Sequence, residues 1–389
     1  MPQSRVALPF ARPFYVMAKP AGARCNLACR YCYYLDKAGL YPDSRRPVMS
    51  DTLLERFVGQ YIGAQTQPEV LFTWHGGEPL LLPVDFYRRA LQLQRQHGRG
   101  RHIDNCLQTN GTLLDDEWCR FFRQNNFLIG VSIDGPRPMH EAYRGHSFDR
   151  VMRGIGLLQR HGVEWNAMAT VHKANVHRAA EFYHFFRNLG CRYLQFTPIV
   201  ERTADGRLTP ESVTADEWGE FLCTLFDEWA EADVGQLFVQ LFDATLANWC
   251  GQPSPVCSMA PECGQSTAME WNGDVFSCDH FVSTAHRLGN ICRQTLAEMA
   301  YSERQRRFGR EKRTLLPRQC RECRWLFACN GECPKNRFAT DAYGQPGLNH
   351  LCKGYRRFFE HSAPLMTELR QQIGILKAGE YNKTNNSAL

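Results

Sequence analysis

The chain has 389 residues, is 43% hydrophobic and carries a formal net charge of +6. That is enough apolar material for a large domain with a smaller one beside it, while the mild, scattered basicity brings no recognised nucleic-acid motif. Seventeen cysteines, an odd number in a long chain, point away from a disulfide scaffold and toward metal binding in a reducing compartment.

Residues 1–12 lack the continuous apolar core of a signal peptide and read as an N-terminal tail, and no run approaches the roughly 18 apolar residues of a membrane span. A cytoplasmic protein is expected, with neither nucleic acid nor membrane among its partners. From residue 13 the sequence alternates β-rich runs with helical patterns. Strands are predicted over 14–18, 70–74, 103–109, 127–133, 164–171 and 193–197. Between the first two, Leu53, Leu54, Phe57, Val58, Tyr61 and Ile62 recur at helical spacing, with Ser50 placed to cap the helix. Successive βα units imply a parallel sheet, and right-handed crossovers would curl it into a partial (β/α)6 TIM-like barrel over 13–237.

Just after the first strand comes Cys25-Asn26-Leu27-Ala28-Cys29-Arg30-Tyr31-Cys32. Three thiolates at this spacing can hold three irons of a four-iron cluster and leave the fourth open to a reactant. Three further polar strings follow strands: His75-Gly76-Gly77-Glu78-Pro79, Gln108-Thr109-Asn110-Gly111 and Ser132-Ile133-Asp134-Gly135. Strand carboxyl ends form the rim where α/β barrels build active sites. The glycines let backbone approach a small ligand, while Glu78 offers a carboxylate to an ammonium group.

An aromatic-rich helix is predicted over 215–232. After about Cys250 loops, short strands and dense cysteines mark a second domain, so that 238–376 comprises a linker, a cysteine-rich domain and a closing helix over 355–376, with a flexible tail over 377–389. Asn272-Gly273 reads as a two-residue hairpin turn with both residues at positive φ, holding Cys278-Asp279 at its end. The basic run 304–313 reads as a solvated helical face. Cys257, Cys263, Cys278, Cys320, Cys323, Cys329, Cys333 and Cys352 supply the ligand count for two four-iron clusters, or equally for two structural zinc sites. Cys106, Cys119, Cys191, Cys223, Cys250 and Cys292 stand singly and read as buried thiols. Asp279 is either a solvated strand-end acid or a base held beside a metal centre.

On these residues the chain resembles a radical S-adenosylmethionine enzyme with a C-terminal domain of the SPASM type, and within that superfamily the anaerobic sulfatase-maturating enzymes. The resemblance implies three [4Fe-4S] clusters. One, on Cys25, Cys29 and Cys32, binds S-adenosylmethionine and reduces it to methionine and a 5′-deoxyadenosyl radical. An auxiliary cluster would take Cys257, Cys263, Cys278 and Cys333, and a second would take Cys320, Cys323, Cys329 and Cys352. Matching positions assign Tyr31, Gly76, Gly77, Ser132, Arg144 and Val200 to the cofactor and Glu78 to its amino group. The implied oxidoreductase reaction is post-translational: a cysteine or serine of an unfolded sulfatase, in a Cys/Ser-x-Pro-x-Arg motif, loses a Cβ hydrogen to the radical. Asp279 takes the proton, an auxiliary cluster takes the electron, and Cα-formylglycine results. A flavodoxin or ferredoxin would supply electrons. His75 departs from the glutamine common before Gly-Gly-Glu-Pro in this group. The alternatives are a thioether or carbon–carbon crosslinking enzyme acting on another ribosomal peptide, and a non-catalytic zinc or iron–sulfur protein.

Overall fold

The computed structural model describes residues 13–42, 47–203 and 205–386. The N-terminal tail expected over 1–12 and the final residues 387–389 lie outside the described residues. In chain order the elements are β1 (Tyr15–Lys19), α1 (Asp51–Ala64), β2 (Glu69–Trp74), α2 (Val84–Gly98), β3 (His102–Thr109), α3 (Asp116–Gln124), β4 (Leu128–Ser132), α4 (Arg137–Arg144), α5 (Phe148–Arg160) and β5 (Trp165–Val171). They continue through α6 (Ala179–Asn188), β6 (Tyr193–Pro198), α7 (Ala215–Ala232), β7 (Phe238–Val239), α8 (Gln240–Trp249), β8 (Ser266–Glu270), β9 (Asp274–Phe276) and β10 (Arg287–Asn290). The last are α9 (Leu296–Ala300), α10 (Glu303–Thr314), α11 (Arg318–Arg321), α12 (Leu326–Cys329) and α13 (Cys352–Asn386). All six predicted strands are present, with ends shifted by a residue or so. Among the described residues no helix is long and apolar enough to cross a membrane.

The chain divides into two compact units. The first takes in Met1–Val131, Asp149–Trp165 and Gly264–Arg310; the second takes in Ser132–Phe148, Asn166–Cys263 and Glu311–Leu389. Compactness thus partitions the chain differently from the order of its motifs, with Gly264–Arg310 falling in the first unit.

In the first unit β1, β2, β3 and β4 pair in parallel. Ser50 accepts from Leu53 N and starts α1, whose apolar stripe Leu53, Leu54, Phe57, Val58, Tyr61 and Ile62 is buried. Phe57, Tyr61, Phe72 and Trp74 interlock edge-to-face and stacked between α1 and β2, which ties the helix to the strand beneath it. The other edge of β1 is taken in parallel by β8, from Tyr15↔Ser266 to Lys19↔Glu270, and β9 and β10 continue antiparallel. This extension was not legible as a barrel strand, because β8 comes from the cysteine-rich region.

The hairpin turn also differs from expectation. Ala268↔Phe276 and Met269↔Val275 are paired, which leaves 271–273 as the loop, and Gly273 N donates to Glu270 O at 2.9 Å. Only Gly273 has positive φ, at 87°. A type I turn closed by a left-handed glycine satisfies the strand twist in a three-residue loop, and Asn272 instead accepts from Asp274 N at 3.1 Å.

In the second unit β5, β6 and the short β7 pair in parallel. Thr214 and Glu217 form a reciprocal capping box that starts α7. Helices α7 and α13 cross at glycines: a Cβ on Gly354 would lie 2.2 Å from Ala215 O, and one on Gly219 would lie 2.8 Å from Gly354 Cα. Helix α13 stays helical to Asn386, beyond the end expected at Leu376. Gly354→Ala is expected to destabilise the protein by about 1–3 kcal/mol through overpacking at this crossing, measured as a lowered urea midpoint.

Candidate functional site

In the first unit, β1 ends at Lys19 and the chain turns into the loop of Cys25, Cys29 and Cys32, where Cys32 N donates to Cys29 O at 3.0 Å. Cys25 Sγ receives Leu27 N at 3.4 Å and Asn110 Nδ2 at 3.6 Å. Such donors stabilise an anionic ligand sulfur. Asn110 also donates to Asn26 Oδ1 at 2.8 Å, which joins the loop to the end of β3. Tyr31 lies half-buried in the same loop.

The glycine string packs against the approach to Cys25. Gly77 N donates to Gly22 O at 2.8 Å and Glu78 N to Arg24 O at 2.7 Å. A Cβ on Gly77 would come within 2.0 Å of Arg24 O, and one on Gly76 within 2.9 Å of Gly22 O, so only glycine fits. Glu78 is fully buried. Its Oε1 accepts from Leu80 N at 2.9 Å and Thr109 Oγ1 at 2.8 Å, and its Oε2 from Asn110 N at 2.8 Å. Burial pushes its carboxyl up to about 7, although these three bonds pull the other way.

Asp279 follows β9 beside Cys278. Lys19, fully buried, pairs with Asp279 Oδ1, and Tyr33 OH donates to Oδ2. The Lys19 ammonium also lies 3.6 Å from the centroid of the Tyr34 ring, and Tyr34 OH donates to Glu270. Burial alone would raise the Asp279 carboxyl; Lys19 first, then His75 and His280, hold it well below the usual carboxylate range. It is therefore an ionised acceptor, which settles its environment against a solvated strand-end acid. Burial pushes the His75 imidazole down to about 4, and Gly76 N donates to its Nδ1 at 2.7 Å, which leaves the ring proton on Nε2. Sequence reasoning did not single out Lys19 or Tyr33. The signal for Lys19 is a lysine ending an apolar strand immediately before Pro20.

The second unit holds Ser132, Arg144 and Val200. Asp134, fully buried, accepts from Arg144 Nε at 2.8 Å and Thr170 N at 2.8 Å, which fixes the guanidinium at the end of α4. Val200 is buried just past β6.

In this unit Cys320, Cys323, Cys329 and Cys352 line one small pocket with Trp325, Tyr355 and Phe359. Trp325 N donates to Cys323 Sγ at 3.4 Å. Burial pushes the Cys352 thiol up to about 11 and Cys329 higher still, so ionisation of these sulfurs is coupled to metal loading. A zinc site needs four sulfurs at about 2.3 Å from one ion. Four cysteines around a common pocket supply the ligand count of either a zinc ion or a four-iron cluster. Cys257, Cys263 and Cys333 lie in the second unit and Cys278 in the first. Of the single cysteines, Cys119, Cys191 and Cys223 are buried as expected, Cys106 and Cys250 are half-buried, and Cys292 is exposed. The basic run also holds an exception to a solvated face, since Lys312 is buried.

Residues 20–186 match the Radical SAM superfamily, and residues 257–324 match an iron–sulfur cluster-binding domain, SPASM. The chain is 56% identical over 385 residues to the serine-type anaerobic sulfatase-maturating enzyme of Bacteroides thetaiotaomicron, covering 94% of this chain and 93% of that one. It is 30% identical over 373 residues to the cysteine-type enzyme of Clostridium perfringens, covering 93% and 99%. Among solved structures, native anSMEcpe with bound AdoMet and Cp18Cys peptide matches with a TM-score of 0.82 at 30% identity, covering 93% of this chain and 100% of that one.

For His75 the folded pKa of about 4 lies below the ordinary 6.5, so the unfolded chain binds more protons between those values. The stability that neutral His75 contributes is complete above pH 6.5 and is lost as pH falls toward 4. In urea unfolding of cluster-free protein, His75→Gln is expected to flatten the acid-side loss of stability across that window relative to wild type.

Proposed function

Because the chain belongs to the anaerobic sulfatase-maturating enzymes of the radical SAM superfamily, we propose that it oxidises a serine or cysteine of an unfolded sulfatase to Cα-formylglycine, with serine the preferred target. The observation that carries this reading is Asp279, an ionised carboxylate held by Lys19 and Tyr33 directly after Cys278. The serine preference is supported by the 56% identity to a serine-type enzyme against 30% to a cysteine-type one.

Cys25, Cys29 and Cys32 would hold the cofactor-binding cluster, with Asn110 and Leu27 N–H groups on the Cys25 sulfur. Gly76, Gly77, Tyr31, Ser132, Arg144 and Val200 would contact S-adenosylmethionine, and Glu78 would take its amino group. Cys257, Cys263, Cys278 and Cys333 would hold one auxiliary cluster, and Cys320, Cys323, Cys329 and Cys352 the other. When bound, S-adenosylmethionine and the three [4Fe-4S] clusters supply the radical that removes a Cβ hydrogen and the sink for the remaining electron. Asp279 receives the proton of the target hydroxyl or thiol at a carboxylate oxygen. His75, neutral over the working range, both donates and accepts hydrogen bonds, as an amide at that position would.

The polypeptide partner is read as a segment carrying Cys/Ser-x-Pro-x-Arg, met in the cytoplasm before it folds, and the reductant as a flavodoxin or ferredoxin. Incubation with S-adenosylmethionine, reductant and peptides bearing Ser-x-Pro-x-Arg or Cys-x-Pro-x-Arg tests the reading by mass spectrometry. Aldehyde is expected on both peptides, faster on serine; cofactor cleavage with no aldehyde on either would favour a crosslinking enzyme. Asp279→Asn is expected to keep its iron and cleave the cofactor while product falls by about 100-fold or more, the lower end of general-base contributions. Replacing Cys25, Cys29 or Cys32 by alanine is expected to abolish cleavage itself.

A further inference from the structure

Lys312 is 1% exposed, in a helix otherwise rich in exposed arginine. Its Nζ donates to the main-chain carbonyls of Cys257 at 2.6 Å, Ser258 at 2.7 Å and Ala260, which uses all three of its protons. Arg337, half-buried, is a second cation held by carbonyls. It donates from Nε to Gly331 O at 2.7 Å, from Nη2 to Asn330 O at 2.9 Å and Glu332 O at 3.0 Å, and from Nη1 to Lys312 O. Asn330, Gly331 and Glu332 have positive φ of 48°, 71° and 52°, a strained run joining Cys329 to Cys333. Arg337 clasps its carbonyls.

Carbonyls solvate a cation but do not neutralise it. The buried Glu332 carboxylate accepts from Asn349 Nδ2 at 2.6 Å and Asn336 Nδ2 at 3.3 Å; among the described residues it forms no ion-pair contact with Lys312 or Arg337, although its charge acts on both. One carboxylate facing two cations leaves positive charge in excess, and unbalanced charge away from water is costly. The loops these cations hold carry Cys257, Cys329 and Cys333, and a four-iron cluster with four thiolates is itself an anion.

We propose that Lys312, braced by Arg337, is a positioning residue for the auxiliary cluster that takes Cys257 and Cys263: it fixes the Cys257 loop and, as a positive charge, raises the reduction potential of that cluster. The proposal rests on the ligand assignment given above. For a serine target, one Cβ hydrogen atom goes to the cofactor radical, the hydroxyl proton to Asp279 and one electron to the cluster as the C=O bond forms. Reduction adds negative charge near Lys312, so the cation favours the reduced cluster and electron acceptance.

The test is redox titration followed by electron paramagnetic resonance, with iron and sulfide counts, on anaerobically purified wild type and the variants Lys312→Met, Lys312→Gln and Lys312→Arg. A neutral variant that keeps its clusters is expected to show one auxiliary potential moved to more negative values and more cofactor cleaved per aldehyde formed, with Lys312→Arg restoring both. Loss of one cluster's iron from both neutral variants and its retention in Lys312→Arg also supports the proposal, since the cation then holds the site. Full iron with unchanged potentials in a neutral variant overturns it, as does loss of the cluster in all three. Cys257→Ala protein with undiminished iron and sulfide would remove the underlying ligand assignment, a distinct failure.

Discussion

The pairing of β8 with β1 is the constraint on which the first unit depends. It sets Lys19 opposite Glu270 at the carboxyl end of both strands, and the β8–β9 hairpin then returns the chain so that Asp279 meets the Lys19 ammonium. A lysine with no exposed surface needs an anion, and breaking such a buried pair from one side costs about 3–5 kcal/mol. Tyr33 and Tyr34, adjacent to Cys32, bind Asp279 and Glu270 in turn. The loop of the three cysteines and the hairpin that ends in Cys278-Asp279 are therefore fixed to the same pair of strands, although more than two hundred positions separate them in sequence.

Charge inside this protein is handled in three distinct ways, and each suits a different task. Asp279 faces a full cation and stays ionised, the state the proposed proton acceptor needs. Glu78 is held only by neutral N–H and O–H donors and rises to about 7, so its ionisation is poised to respond to a cationic ligand. Lys312 and Arg337 donate to carbonyls, and the single Glu332 carboxylate acting on both leaves positive charge in excess for an anionic group to balance. The same desolvation acts on all of them; the partner decides the outcome.

Strands, the capped first helix and the cysteine groups were legible because each carries its own local signal: period-two or period-four apolar spacing, a serine cap, and thiolates at ligand spacing. The environment of Asp279 was legible only as one of two readings, because what separates a paired carboxylate from a solvated acid is Lys19, a partner distant in sequence. The hairpin was placed correctly but its turn was not. The dipeptide Asn272-Gly273 fits a two-residue loop as well as the second half of a three-residue one, and the pairing of Met269 with Val275 decides between them. Lys312 was hidden in a run of arginines whose helix repeat does not reveal which member turns inward, and what was hidden about β8 was its parallel pairing with β1, since the hairpin that contains it lies in a region otherwise read as loops.

The glycine string shows why a motif is sharper than its composition. His75 N donates to Ala18 O at 2.8 Å, Gly76 N to His75 Nδ1, Gly77 N to Gly22 O and Glu78 N to Arg24 O. Every N–H of the segment is thereby committed to the protein, and the glycines are required by the closeness of that packing against 22–24. Recognition of a ligand by this backbone must then run through acceptors, the carbonyls and the remaining lone pair of Glu78 Oε2. A row of acceptors suits an ammonium group and disfavours a carboxylate. That polarity is what the proposed contact of this string with the amino end of S-adenosylmethionine requires.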